Sequence, residues 1–177
     1  MKKANKKRSA SGFSLIETLV AILILTFGVL SLVMVFTQGL FNIATSQEDL
    51  IAKEKAAEAI ESVFTGRDIR VLTWAQIRNV RDGGLFLDGA QPMNTGGDDS
   101  LVNTGDANEN IESYVKAGVD NVLGTGDDVT VDLRNFTREI VITDVAPNLR
   151  QIQVIIRYQV GRMQRDYTLT TYISSYA

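Results

Sequence analysis

The chain contains no cysteine and no histidine, and only two prolines and one tryptophan in 177 residues. Without cysteine there are no disulfides, no thiolate nucleophiles and no zinc-sulfur sites. Without histidine the commonest general base is missing. No nucleophile-base pair, glycine-rich phosphate loop or transition-metal ligand set takes its place, so the chain is expected not to be an enzyme. Charge is scarce where it matters most. From Phe13 to Phe41 the only side chain able to carry a charge is Glu17.

What is present at the N-terminus is a cluster of five cations (Lys2, Lys3, Lys6, Lys7, Arg8) followed by that apolar run. As a helix, residues 13–41 would measure about 43 Å at about 1.5 Å per residue. That exceeds the roughly 30 Å hydrocarbon core of a bilayer. A carboxylate at the centre of such a helix costs about 2.5 to 3.5 kcal/mol, and less near an end. Glu17 therefore needs a partner, and the nearest candidate is an amine at Phe13, created if the chain is cut after Gly12. Two other readings stay open. An ordinary secretory signal would use the small-x-small site Ala44-Thr45-Ser46, although its apolar region is usually only about 7 to 15 residues long. A simple single-span anchor has the same hydropathy, but neither alternative accounts for an acid just after Gly-Phe.

Gly12-Phe13-Ser14-Leu15-Ile16-Glu17 resembles the signature of the type IV pilins and the pseudopilins of type II secretion. In that family a basic leader ends in Gly, followed by Phe, a small polar residue, two apolar residues and Glu. The resemblance implies cleavage after Gly12 by prepilin peptidase, N-methylation of Phe13, and a salt bridge from Glu17 to the Phe13 amine of the next subunit. It further implies a membrane-inserted precursor whose partners are other pilin or pseudopilin subunits. The run Leu19 to Leu30, with Gly28 late in it, is most similar to the minor, PilV-like branch of prepilins. Major pilins commonly have a Pro further along, where this chain has Met34. Many pilins also close the C-terminal region with a disulfide, which is impossible here.

The positive-inside rule would keep the leader in the cytoplasm, with the C-terminal region outside the inner membrane. Five of the 18 Lys and Arg residues lie in that leader, so a mature chain would carry 13 cations against 21 anions, near −8. No basic stripe interleaved with aromatics accompanies that balance, and direct nucleic acid binding is not expected.

Beyond the apolar run, Ile43, Leu50, Ala57 and Phe64 recur every seven residues, with Ile60 beside them and acids and lysines between. This predicts that the helix continues as an amphipathic half, 42–66, with Thr65-Gly66 as its stop. Residues 67–80 are ambiguous: Thr73 fits a helix N-cap, whereas Ile69 to Leu72 fits an extended segment. Trp74 is expected in the core. Residues 82–128 form a long acidic excursion rich in Gly, Asp and Asn.

Inside that excursion Asp99-Ser100-Leu101-Val102-Asn103-Thr104-Gly105-Asp106 aligns with Asp120-Asn121-Val122-Leu123-Gly124-Thr125-Gly126-Asp127. Clustered carboxylates are what calcium takes, with six to eight oxygen ligands. Asp120, Asp127 and Asp128 form the better-furnished candidate site, and Asp99 and Asp106 the weaker. The EF-hand spacing is absent, and acidic turns form without metal. Some pseudopilins hold calcium in a C-terminal loop, as the resemblance adds. No cofactor is required on this reading, and calcium is the one candidate.

From Val129 the period changes to two: 129–133, 136–143, 152–160 and 167–173 alternate as strands, with a turn at 144–148 and a two-residue hairpin at Gly161-Arg162. The expected fold is therefore α+β, the pilin fold, with a long N-terminal helix covering a C-terminal antiparallel meander of about four strands. The expected divisions are a leader 1–12, a transmembrane and assembly half 13–41, an amphipathic half 42–66, and a globular domain 67–177 whose sheet occupies 129–175. Function then lies between a fibre subunit, a membrane-anchored adhesion or tip module that binds calcium, and a single-span anchored β domain of other function.

Overall fold

The computed structural model describes Gly12 and residues 14–176. One helix, α1 (Leu15–Asp68), is followed by a 3-10 turn (Val80–Asp82) and six strands. These are β1 (Gln91–Pro92), β2 (Ser113–Lys116), β3 (Val129–Asp132), β4 (Phe136–Ala146), β5 (Leu149–Val160) and β6 (Met163–Ser174). The chain divides into two compact units, residues 1–44 and 45–177.

Within the second unit the main sheet has four antiparallel strands in the order β1-β4-β5-β6. The α+β class and the four-stranded sheet agree with the sequence pattern. One strand is exchanged. The alternating residues Val129–Asp132 pair with Ser113–Lys116 in a separate ribbon, and Gln91–Pro92 takes the outer position beside β4. Alternation marks an extended segment without saying which neighbour it has, and β3 has little burial to fix it in the core: Val129 is exposed and Val131 half-buried. Pro92 is tolerated in β1 because an edge strand can do without one amide donor.

The sheet face that meets α1 carries Phe136, Ile140 and Ile142 of β4, Ile152, Val154, Ile156 and Tyr158 of β5, and Ile173 of β6, all buried. Opposite them α1 buries Ala52, Ala56, Ala59 and Val63. This is not the stripe that the heptad spacing picked out. Ile43, Leu50 and Ala57 are exposed, and Ile60 and Phe64 are only half-buried. The sheet already supplies bulky branched side chains, so a close-packed interior leaves room only for the small side chains of the helix. Polar bonds hold the two layers in register. Tyr158 donates its hydroxyl to Asp49, Arg165 Nη1 lies 3.0 Å from Asp49 Oδ1, and Arg67 Nη1 donates to the Ser174 carbonyl at 3.2 Å. Burial, followed by the Asp49 carboxylate, pushes the Tyr158 phenol up to about 12.

The helix runs through the expected stop at Gly66 and ends at Asp68. Gly66 serves packing instead: a Cβ there would sit 2.8 Å from Leu101 Cδ2 and 3.1 Å from Leu72 Cδ1. The left-handed residue after the helix is Arg70, at φ 63°. No short helix forms at Thr73, whose amide and hydroxyl both donate to Gln76 Oε1. Trp74 is half-buried, with the Arg150 guanidinium 4.0 Å above its ring.

Residues 82–128 are less of an excursion than their composition suggests, because Phe86, Met93, Leu101, Val102, Asn103 and Glu112 are all buried. The Asn79 amide just before this segment, the Asn103 amide within it and the Arg138 guanidinium of β4 join the region to the outer edge of β4. Asn79 donates to the Ile140 carbonyl at 2.7 Å and accepts from the Ile142 amide at 2.8 Å, standing in for a neighbouring strand. Asn103 donates to the Arg138 carbonyl at 3.0 Å. The fully buried Arg138 donates to Asn103 Oδ1 at 2.8 Å, to Glu112 Oε1 at 3.0 Å and to the Asn94 carbonyl at 2.6 Å. Glu112 in turn lies 2.7 Å from Lys55 on α1. A free strand edge is a template for unwanted pairing, and β4 is closed in this way by β1, Asn79 and Asn103.

Replacing Asn79 by Ala would leave the Ile140 carbonyl and the Ile142 amide buried without partners. A buried polar group left unsatisfied costs about 1 to 3 kcal/mol. Asn79→Ala is expected to lower the stability of the full chain in detergent by that order, read as a lower denaturation midpoint, whereas exposed Asn148→Ala should change it little.

Candidate functional site: the N-terminal stem and the acidic loops

Helix α1 begins where a side chain makes beginning favourable. Ser14 Oγ accepts the amide of Glu17 at 3.2 Å, and the Ser14 carbonyl accepts the amides of Glu17 and Thr18 at 3.1 and 3.2 Å. Ser14 is thus the N-cap and Glu17 the third helical residue, the spacing of a capping box. The acid sits in the first turn, where the helix dipole favours negative charge. The Ser-x-x-Glu pattern in Ser14-Leu15-Ile16-Glu17 carried this signal, in addition to the family signature that made Glu17 stand out.

The other polar side chains of the apolar run are satisfied by their own helix. Thr18 donates to the Leu15 carbonyl at 3.0 Å, Thr26 to Ile22 at 2.7 Å, Ser31 to Phe27 at 2.8 Å and Thr37 to Val33 at 2.9 Å. Back-bonded hydroxyls of this kind can enter an apolar medium without an outside partner. Glu17 differs. Its carboxylate has no ion-pair partner among the described residues. Phe13, where the expected partner amine would arise, lies outside the described residues, as do residues 1–11 of the expected leader 1–12; Gly12 is exposed.

Around this one acid, Leu15, Ile16, Leu19, Ile22, Ile24, Leu25 and onward to Leu40 are all exposed. The helix is long and apolar enough to cross a membrane, and none of its most apolar 18-residue window is buried within the chain. Apolar area on this scale is strongly favoured to leave water.

The two acidic loops repeat in conformation as well as in sequence. The Asp99 amide donates to Asp106 Oδ2 at 2.9 Å, as the Asp120 amide does to Asp127 Oδ2 at 3.2 Å. The Leu101 amide donates to Asp99 Oδ1 at 2.8 Å, and the Val122 amide to Asp120 Oδ1 at 2.8 Å. Ser100 and Asn121 both adopt left-handed backbone, at φ 59° and 55°, followed three residues later by Asn103 and Gly124, at 61° and 90°. In both loops a glycine two residues before the first Asp (Gly97, Gly118) has no room for a Cβ beside the second Asp.

The carboxylates at the calcium positions are therefore engaged with their own loops, Asp128 Oδ2 included, which accepts the Gly124 amide at 2.6 Å. Among the described residues no group of three or more acidic side chains is placed to hold a metal ion. The Thr125 hydroxyl, then the Asp120 amide, hold the Asp127 carboxyl below the usual carboxylate range.

Sequence reasoning passed over a second anchoring network because its members lie far apart in the chain. Asp144 accepts from Arg150 Nε at 2.6 Å and from Arg78 Nη2 at 2.6 Å, while Arg150 also donates to the carbonyls of Ile77, at 2.9 Å, and Trp74. The hydrogen bond from Arg150, with the charges of Arg150 and Arg78 behind it, holds the Asp144 carboxyl below its ordinary value.

Residues 7–33 match the family model described as the prokaryotic N-terminal methylation motif. The match spans the end of the basic N-terminal cluster and the start of α1, and it supports a type IV pilin-like precursor. No curated protein and no solved structure matches the chain.

Because the folded-state value of Asp144 is depressed, its contribution to stability is present above the unfolded value, about 3.9. It is lost as pH falls through the folded value. Asp144→Asn is therefore expected to melt lower than the unaltered protein at pH 7, and the gap should close as pH falls below about 4. A gap that stays constant across this range in thermal melts would show that the charge of Asp144 is not what ties Arg150 and Arg78 together.

Proposed function

We propose that this chain is a structural subunit, of the minor, PilV-like kind, of a type IV pilus or pseudopilus. It is made as an inner-membrane precursor with its C-terminal unit outside the cytoplasm. Prepilin peptidase cuts after Gly12, Phe13 becomes the methylated N-terminus, and the stem then leaves the bilayer for the fibre. Its partners are the peptidase, the membrane and other pilin-type subunits, and its role is architectural rather than catalytic.

The observation that carries this reading is the first turn of α1. Glu17 is capped into the helix by Ser14 and surrounded by exposed apolar side chains, while every hydroxyl near it is already bonded internally. A lone carboxylate in such a setting is costly unless a cation meets it. A freed amine four residues away in sequence cannot easily turn back onto its own helix, whereas the amine of a neighbouring subunit can approach Glu17 from outside. Packing stem against stem replaces lipid contacts without loss of apolar burial, so the Glu17 to amine pair supplies the registry that apolar packing alone lacks.

Two measurements test it. The mature protein isolated from its cells is expected to begin at methylated Phe13. A start at Met1 would mean a plain anchor, and a start near Gln47 an ordinary secretory signal. Glu17→Ala is expected to insert in the membrane and be processed normally while its recovery in sheared fibres falls by about tenfold, the equivalent of about 1.4 kcal/mol. Unimpaired incorporation of Glu17→Ala would remove the registry role. Ser14→Ala, which costs a cap about 1 kcal/mol, should have a smaller effect in the same direction.

A further inference from the structure

The two edges of the main sheet are treated differently. The outer edge of β4 is covered by β1, Asn79 and Asn103. The outer edge of β6 is open: β6 pairs with β5 in unbroken register from Met163 to Ser174 and has no strand on its other side among the described residues. Charges, proline and bulges are the devices that blunt a free edge. Here Arg165 and Asp166 stand near the start of the strand, and Tyr167-Thr168-Leu169-Thr170-Thr171-Tyr172-Ile173 follows without charge, Pro or Gly. Alternate residues of an outer strand turn their amide and carbonyl away from the sheet, so this edge offers a row of donors and acceptors that another extended backbone matches.

A groove lies alongside. Tyr167, Leu169 and Thr171 stand opposite the buried Ile156, Val154 and Ile152 of β5, so they share the face that packs on α1, yet all three are only half-buried. Ala57, Ile60 and Phe64 of α1 and Leu169 of β6 line an apolar groove of about 400 Å³. A strand added beside β6, about 4.8 Å further out, would hold alternate side chains on this face and over the groove. In such additions main-chain bonds give affinity, and the pockets for alternate side chains give specificity.

Charge selects the strand. Glu61 also lines the groove and has no ion-pair partner among the described residues. Glu54 and Glu58 are exposed on the same stretch of helix, against one exposed cation, Lys53. A basic residue is therefore favoured there and an acidic one is not. A second copy of this chain is a poor occupant. Its own β6 would bring a second acidic helix face, and its strands β2 and β3 are four residues each, with Glu112 before the one and Asp127-Asp128 before the other.

We propose that β6 and the groove beside it form a strand-docking site for a different pilin-type subunit. An extended segment of that partner adds to β6, with alternate branched or aliphatic side chains in the Ala57-Ile60-Phe64-Leu169 groove and a Lys or Arg set against Glu61. The inference rests on the fibre reading for the identity of the partner, and on the sheet edge alone for how the strand is held.

Two arms test it on the full chain. In detergent, the peptide acetyl-Lys-Thr-Val-Thr-Val-Thr-Lys-amide is expected to slow hydrogen exchange at alternate amides between Met163 and Ile173. The same peptide N-methylated at its five central residues should give no protection. Glu61→Gln, at an exposed position, should weaken binding by about two- to fivefold, the size of an exposed ion pair. Absent protection, equal protection by the N-methylated peptide, or equal binding of a version with Glu in place of both Lys would overturn the proposal. In the cells that make the protein, Thr170→p-benzoylphenylalanine is expected to photocross-link to an alternating apolar segment bearing Lys or Arg in another chain that has its own N-terminal methylation motif. Glu61→Lys should reduce that adduct, and changing the captured Lys or Arg to Glu should restore it. Adducts to a second copy or to phospholipid would overturn the proposed partner. The N-terminal residue is determined in parallel: peptide protection in a chain that does not begin at Phe13 supports the strand site and removes the fibre, and a Phe13 start without protection does the reverse.

Discussion

An apolar surface must be removed from water, and among the described residues none covers the side chains from Leu15 to Leu40. Most of what is informative about the N-terminal unit follows from that constraint. Hydroxyls along the run turn back onto helix carbonyls, so they add no cost in a dry environment. One carboxylate is left with no ion-pair partner among the described residues, at the end of the helix where the dipole eases its charge. A surface that tolerates lipid and other apolar helices equally well can exchange one for the other. The methylation motif over residues 7–33 falls on this same stretch.

The second unit solves a different problem, that of building a core without disulfides. Its helix-sheet interface is asymmetric, with large branched residues on the sheet and alanines on the helix. Around that interface lie Arg138 and Arg150, two buried guanidiniums that gather distant segments. Arg138 joins residues 94, 103 and 112 to β4, and through Glu112 to Lys55 on α1. Arg150 joins Trp74, Ile77 and Asp144. Burial opposes the charge on Lys55, but the Glu112 and Glu58 carboxylates outweigh it and hold the ammonium above its ordinary value. Removing one member of such a network would leave another charge buried and unpaired, which is strongly destabilising. These contacts fasten a glycine-rich segment that has little regular structure of its own.

The duplicated loop connects composition with surface. Asx-type bonds from Asp99 and Asp120 and left-handed backbone at Ser100 and Asn121 make two short segments rigid at the same shape. A rigid loop presents its apolar tip at low entropic cost, whether inward or outward. The stripe of Leu50, Ala57, Ile60 and Phe64 has a similar lesson. It is a true amphipathic pattern, yet the sheet buries the alanine stripe beside it and leaves Leu50 and Ala57 exposed and Ile60 and Phe64 half-buried.

Short-range chemistry was legible from the residues alone. The apolar run, the isolated Glu17, the period-two strands β4 to β6, the glycine at the 161–162 hairpin and the repeat of the acidic loops all depend on neighbours a few positions away. So did the α+β class, because a helix stripe and an alternating sheet have few ways to bury one another. Partnerships across the chain were not legible. That Gln91–Pro92 rather than Val129–Asp132 flanks β4, that alanines rather than the heptad residues face the sheet, and that Arg138 and Arg150 are buried are results of packing. Gly66 lying within the helix against Leu101 has the same origin. Each was decided by volume and by hydrogen-bond satisfaction among groups brought together only on folding, and neither quantity is written in local sequence spacing.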